Sequence, residues 1–104
     1  MKVTILANYE PHAAKGVMQG SNREVAIRAL FESVGGRMSS VIFTRGLYDV
    51  VVNGEVPDQV AGMGMALAVR ASGSVRDLVV LEELDMKAVI EVANKAAAVY
   101  EPAG

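Results

Sequence analysis

The sequence predicts an α+β fold, a four-stranded antiparallel sheet with two helices on one face, and three observations carry that expectation. Strand-like and helix-like periodicities follow one another in the order strand, helix, strand, strand, helix, strand, with one more helix at the end. Of the 104 residues, about 59% are apolar when the 10 glycines are counted and the 3 tyrosines are not, against a usual ~45–50% on that definition. A chain of this size keeps a large share of its surface in water, so the surplus predicts an apolar face that needs a cover. The longest uncharged apolar stretch, Gln59 to Val69, is far short of a membrane span, and no signal-peptide core opens the chain. A soluble, cytoplasmic, single domain over residues 1–104 is expected. A net charge of -2 with 21% charged residues excludes a basic nucleic-acid footprint and argues against a disordered tail. With no cysteine, there is no disulfide framework, thiolate metal site or cysteine nucleophile.

Lys2 to Tyr9 places Val3, Ile5, Ala7 and Tyr9 on one face and Thr4, Leu6 and Asn8 on the other, the period of a strand. Glu10-Pro11 stops it, and Pro11 suits the first position of a short helical turn through Met18 that ends at Gly20. Ser21-Asn22-Arg23-Glu24 has the spacing of a capping box, with Ser21 and Glu24 satisfying each other's amides. The helix it opens carries Ile27, Leu30, Phe31 and Val34 on one stripe, and Gly35-Gly36 supplies its stop.

Arg37 to Thr44 alternates again, Arg45-Gly46 predicts a tight two-residue reversal, and Leu47 to Glu55 predicts the second arm of a hairpin. Pro57-Asp58 opens a helix whose expected buried stripe is Val60, Met63, Gly64, Leu67, Ala68 and Ala71, ending near Ser72-Gly73. Leu78 to Leu81 is apolar on both faces, as in a strand covered on two sides. Asp85 caps a last helix with Met86, Val89, Ile90, Ala93, Ala97 and Tyr100 in register, and Pro102 ends it.

This order is the ferredoxin-like split β-α-β pattern, βαββαβ with a C-terminal helix added. Two helices cover one sheet face, so the other should be polar if it meets water. Whichever parity points outward, that face stays rich in Val, Ile and Leu, centred on Val51. An exposed patch of that size exceeds what monomers usually show. The expected solution is a homodimer, or a higher homo-oligomer, paired sheet to sheet; the competing one is that the C-terminal or the first short helix folds back over the face. RNA-reading domains share the element order, but their third strand needs aromatics where Leu47, Asp49 and Val52 stand, so no nucleic acid is expected.

Thr44-Arg45-Gly46-Leu47-Tyr48-Asp49-Val50-Val51-Val52 resembles the signature of the GYD domain family, in which a Gly-x-Tyr-Asp segment opens the third strand. The likeness extends to Asn8, Gly35-Gly36-Arg37, Pro57-Asp58 and Gly73-Ser74-Val75-Arg76, from about Met1 to Leu84. It implies the fold of the dimeric α+β barrels, in which two ferredoxin-like sheets close into a barrel with helices outside. It implies fold and assembly rather than a reaction. The chain departs from the pattern at Met63-Gly64-Met65, where alanines and leucines are more typical. An interior helix glycine costs roughly 1 kcal/mol, so close packing or a ligand needs that space.

Candidate chemistry is sparse. On a strand, Tyr48 and Asp49 would point to opposite faces. Tyr48 is expected beneath a helix with its hydroxyl on a backbone group, or as a phenol donor in a small pocket between sheet and helices. Asp49 is expected in a salt bridge to Arg45, Arg37 or Arg76, or as a general base with a raised pKa. His12, the single histidine, reads as an exposed helix-start residue, with proton shuttle or haem ligand as the alternatives. One His and no Cys give no metal site, and Glu82-Glu83-Asp85 reads as a solvated helix start. Ser39, Ser40, Ser72 and Ser74 stand in no nucleophile motif, and Gly62-x-Gly64 follows no strand. Met63 and Met65 read as core filler or as the lining of an adaptable apolar pocket. These features predict an oligomeric small-ligand-binding or structural barrel that takes a small apolar ligand and no cofactor. The alternative is a cofactor-independent oxygenase or isomerase, or a haem-handling enzyme, using His12, Tyr48 and Asp49.

Overall fold

The alternation of the first segment forms the centre of the sheet. In a computed structural model describing residues 1–104, β1 (Lys2–Tyr9) is followed by α1 (Pro11–Met18), α2 (Arg23–Ser33), β2 (Arg37–Phe43), β3 (Val50–Glu55), α3 (Gln59–Ala71), β4 (Val75–Glu82) and α4 (Met86–Ala97). The strand order is β2-β3-β1-β4, and every neighbouring pair is antiparallel. This is the ferredoxin-like arrangement that the element order predicts. No helix is long and apolar enough to cross a membrane.

Register assigns the faces. Ile5 lies opposite Val52 and Val80, and Val52 opposite Val41. One row along, Ala7 lies opposite Val50 and Leu78. α2 and α3 cover this side, where Phe31 and Met65 are wholly enclosed. Gly54 is needed here because a Cβ at that position would run into the Phe31 ring and the Arg37 carbonyl. The glycine lets α2 seat its largest side chain directly against the backbone of β3. A β-bulge between Met38 and Ser40 shifts the parity of β2, which puts Met38 and Val41 on the covered side and Ser40 and Ile42 on the other.

The open face is mixed rather than continuously apolar. Leu6, Val51, Ile42 and Val79 form one row, and beside it Thr4, Asn53 and Ser40 form a polar one. Thr4 Oγ1 donates to Asn53 Oδ1 at 2.8 Å, and Asn53 Nδ2 donates to Ser40 Oγ at 3.1 Å. A satisfied polar row of this kind tolerates water or a partner surface equally.

Several expectations need correction. The helix start is not a capping box: Asn22 Oδ1 accepts from the Val25 amide at 3.1 Å, while Ser21 Oγ accepts from the Arg23 guanidinium and Glu24 pairs with Arg28. Thr44 to Asp49 is a six-residue loop and not a two-residue turn with Leu47 to Asp49 in the strand. The buried face of α3 is Met65 and Ala66, whereas the expected stripe residues Val60, Met63 and Leu67 are 79%, 63% and 67% exposed. Only Gln59 and Arg70 in α3 are polar, so periodicity had nothing with which to choose a face. β4 begins three residues before Leu78 and ends one residue after Leu81, at Val75–Glu82.

The fold-back of the C-terminal helix does not occur. Asp85 caps α4 as expected, accepting from the Ala88 amide at 3.3 Å, but every residue from Leu81 to Gly104 is exposed. The helix projects from the body, and the chain reaches 58 Å along its longest axis with a radius of gyration of 17.4 Å, against about 13 Å for a compact chain of this length.

Candidate functional site

The covered side of the sheet is not filled. Between the sheet, α2 and α3 lies a cavity of about 290 Å³ that is partly open to solvent, and 15 of its 18 lining residues are hydrophobic. Ile5, Val52, Leu78, Ile27, Phe31 and Met65 are among its walls. Its polar members are Arg23, Ser72 and Ser74, together with the phenol of Tyr9.

Tyr9 ends the covered face of β1, next to an irregularity in the β1–β4 register at Asn8 and Tyr9. Its hydroxyl is enclosed and has no hydrogen-bond partner. A buried hydroxyl left in that state costs about 1–3 kcal/mol. Desolvation pushes the Tyr9 pKa above its ordinary value, the Arg23 charge pulls it back and the Asp49 charge adds to the rise. The phenol therefore holds its proton and stands as a donor without an acceptor.

Arg23 is the other group left without a matching charge. Both its Nε and its Nη2 donate to Ser21 Oγ, at 3.1 and 2.6 Å, and no carboxylate pairs with it, the ion pairs of the molecule being Arg28–Glu24, Arg37–Glu55 and Arg76–Asp77. As the first residue of α2, it sets a positive charge at the positive end of a helix, which is electrostatically unfavourable. The two serines are already committed: Ser72 Oγ donates to the Val69 carbonyl at 2.6 Å and accepts from the Ser74 amide at 3.2 Å.

The Gly-x-Tyr-Asp segment acts on this cavity from outside. Gly46 (φ 141°) lets the loop reverse in a conformation that side chains resist, and Thr44 closes it by donating through Oγ1 to the Tyr48 carbonyl at 2.6 Å. The loop is then tied to β1. The Asp49 amide donates to the Ala7 carbonyl at 3.0 Å, the Tyr9 amide donates to Asp49 Oδ2 at 2.9 Å, and Asn8 Nδ2 donates to the Leu47 carbonyl at 2.9 Å and to Asp77 Oδ1 at 3.0 Å. Asp49 is thus a positioning residue for Tyr9. It takes an amide of β1 that would otherwise be orphaned at the end of the ladder.

The residues singled out from sequence fall in different places. Asp49 makes none of the expected salt bridges, because its carboxylate is engaged by the Tyr9 amide. Tyr48 is half-buried in the loop and takes part through its carbonyl, not through a hydroxyl bonded beneath a helix. His12 is exposed on α1. None of these three lines the cavity. Met65 lines it, while Met63 borders a separate open groove between α3 and β4, with Val60, Leu67 and Val80. No three His, Asp or Glu side chains gather where they could hold a metal ion. Tyr9 and Arg23 were both missed, though each carried a signal: Tyr9 shares parity with Val3, Ile5 and Ala7, and Arg23 sits against the helix dipole.

Compared with known proteins, residues 4–97 match the family model described as the GYD domain. No curated protein matches the chain closely enough to count as a relative.

Proposed function

The chain belongs to the GYD domain family, and on that premise we propose that it is an oligomeric small-ligand-binding protein. Each protomer holds a small apolar molecule between its sheet and its helices, and two copies pair through the open sheet face. The cavity of about 290 Å³ carries the reading. The space is partly open to solvent and its walls are apolar, so an apolar occupant is favoured because it takes that wall surface out of water. A dry cavity of ~150 Å³ is enough for benzene. The larger space suits a molecule of about two rings or a medium-length chain.

Pairing is supported by area. The isolated chain exposes 7296 Å², against about 5,600 Å² expected of a folded 11.0 kDa monomer. The excess of roughly 1,700 Å² on one chain is about twice the ~800 Å² that a standard interface takes from each partner, enough for an extensive one. The segment from Leu81 to Gly104, exposed throughout, contributes to it, and a second copy would cover both α4 and the half-buried row centred on Val51.

Two measurements test this. Native mass spectrometry of the purified protein should give twice the 11.0 kDa chain mass with a small bound mass that is lost on denaturation, and 1-octanol should bind saturably in calorimetry. An 11 kDa monomer by light scattering at micromolar concentration would overturn the pairing. Absence of both a bound mass and saturable octanol binding would overturn the ligand reading.

A further inference from the structure

An apolar cavity alone selects only for size. This one also holds the enclosed Tyr9 hydroxyl, which has no partner, and the Arg23 guanidinium, which bonds only to Ser21 Oγ and faces no carboxylate. The charge of Arg23 reaches the phenol, so both act on one end of the space. Every other polar group at that end is engaged. Ser72 and Ser74 bond to each other and to the α3–β4 turn, and Asp49, the one acid whose charge reaches Tyr9, is held on the Tyr9 amide. What remains is an uncompensated cation beside a neutral donor. That pair is complementary to an anion with more than one acceptor oxygen.

We infer that the cavity takes a small monocarboxylic acid with an apolar body, its carboxylate held by the Arg23 guanidinium and the Tyr9 hydroxyl. The inference rests on the ligand-binding reading above and names the chemical class of the ligand. The apolar walls exclude a second charge, because a diacid would have to bury one carboxylate among Ile5, Val52, Leu78 and Met65. A hydrophobic alcohol of the same length would gain the walls and lose the ion pair.

Octanoic acid and 1-octanol, titrated calorimetrically at pH 7.5 into the whole chain, separate the possibilities without any variant. Octanoate should bind at least about tenfold more tightly than octanol, although octanol is the more hydrophobic of the two. Arg23→Gln should abolish that preference by weakening octanoate far more than octanol. Tyr9→Phe should weaken octanoate about fivefold, the circular dichroism spectrum of each variant matching the parent. Equal affinity for the two compounds overturns the carboxylate assignment and leaves the ligand reading standing. Binding of neither overturns both. An octanoate preference that survives Arg23→Gln overturns the role given to Arg23.

Discussion

α2 and α4 are 11 and 12 residues long, each starts on a side-chain cap from Asn22 or Asp85, and each carries an apolar stripe. Phe31 of α2 is completely enclosed, while every residue of α4 is exposed, Val89 included at 43%. The difference lies in what each helix meets. α2 meets a strand whose Gly54 was left empty for its largest side chain, and α4 meets nothing in its own chain. An amphipathic pattern therefore specifies a face to be covered, and a shaped partner decides whether the cover is internal. The same contrast recurs within α3, where Met65 is enclosed and Met63 is 63% exposed.

The largest test of that contrast is truncation of the enclosed side chain. Phe31→Ala should lose about 3–5 kcal/mol in urea unfolding, with a cavity left against Gly54. Ile90→Ala in α4 should shift the unfolding of the monomeric form by under about 0.5 kcal/mol. Within α3 the pair repeats on a smaller scale: Met65→Ala should cost about 2–5 kcal/mol and Met63→Ala under about 0.5 kcal/mol. Comparable losses at the two members of either pair would mean that α4, or the Met63 side of α3, is packed in the unfolding species.

How much of this could be read from the sequence follows from the range over which each feature is decided. β1, α1 and the Phe31 stripe of α2 are legible because alternation, Pro11 and Gly35-Gly36 act within one or two turns of chain. The burial of α3 is not legible, since a helix with only two polar residues takes its orientation from the sheet. Nor is the Thr44–Asp49 loop: Arg45-Gly46 favours a tight turn locally, but Asn8 and Tyr9, some forty positions away, hold Leu47 and Asp49 out of the strand. The cavity is a volume left by packing, and no pattern of residue types encodes it. Its two polar groups were visible only as anomalies, a tyrosine on the helix-facing parity and an arginine at a helix start.

Asp49 offers an intermediate test, because it belongs to the packed half while lying at its exposed margin. Asp49→Ala leaves the Tyr9 amide without its acceptor and should cost about 1–2 kcal/mol, whereas Asp85→Ala, removing the cap of unpacked α4, should lower helicity with little change in the unfolding midpoint. Tyr9 adds a pH dependence. Burial first, and the Asp49 charge second, raise its folded pKa above 10.0, against the opposing pull of Arg23. The unfolded chain thus releases this proton at lower pH than the folded one does. Stability is intact below about pH 10 and falls as the pH rises through the folded value. Unfolding midpoints measured from pH 8 to 11 should decline less steeply in Tyr9→Phe than in the parent.

The smallest expected effect on the fold is the most informative about α4. Ile90→Glu places a carboxylate in the stripe of Met86, Val89, Ile90 and Ala93, and it should leave the unfolding of the dilute monomer within about 0.5 kcal/mol of the parent. Burying that charge against a second copy would be costly. Light scattering across a concentration series should therefore show the dimer-to-monomer midpoint moving upward by at least tenfold. Val51→Lys, in the centre of the open sheet face, should do the same if both surfaces belong to one interface. A shift with Val51→Lys alone would assign the pairing to the sheet and leave α4 free in the dimer, and a shift with Ile90→Glu alone would assign it to the helix. In either case the internal core around Phe31 stays intact, because neither residue contributes to it.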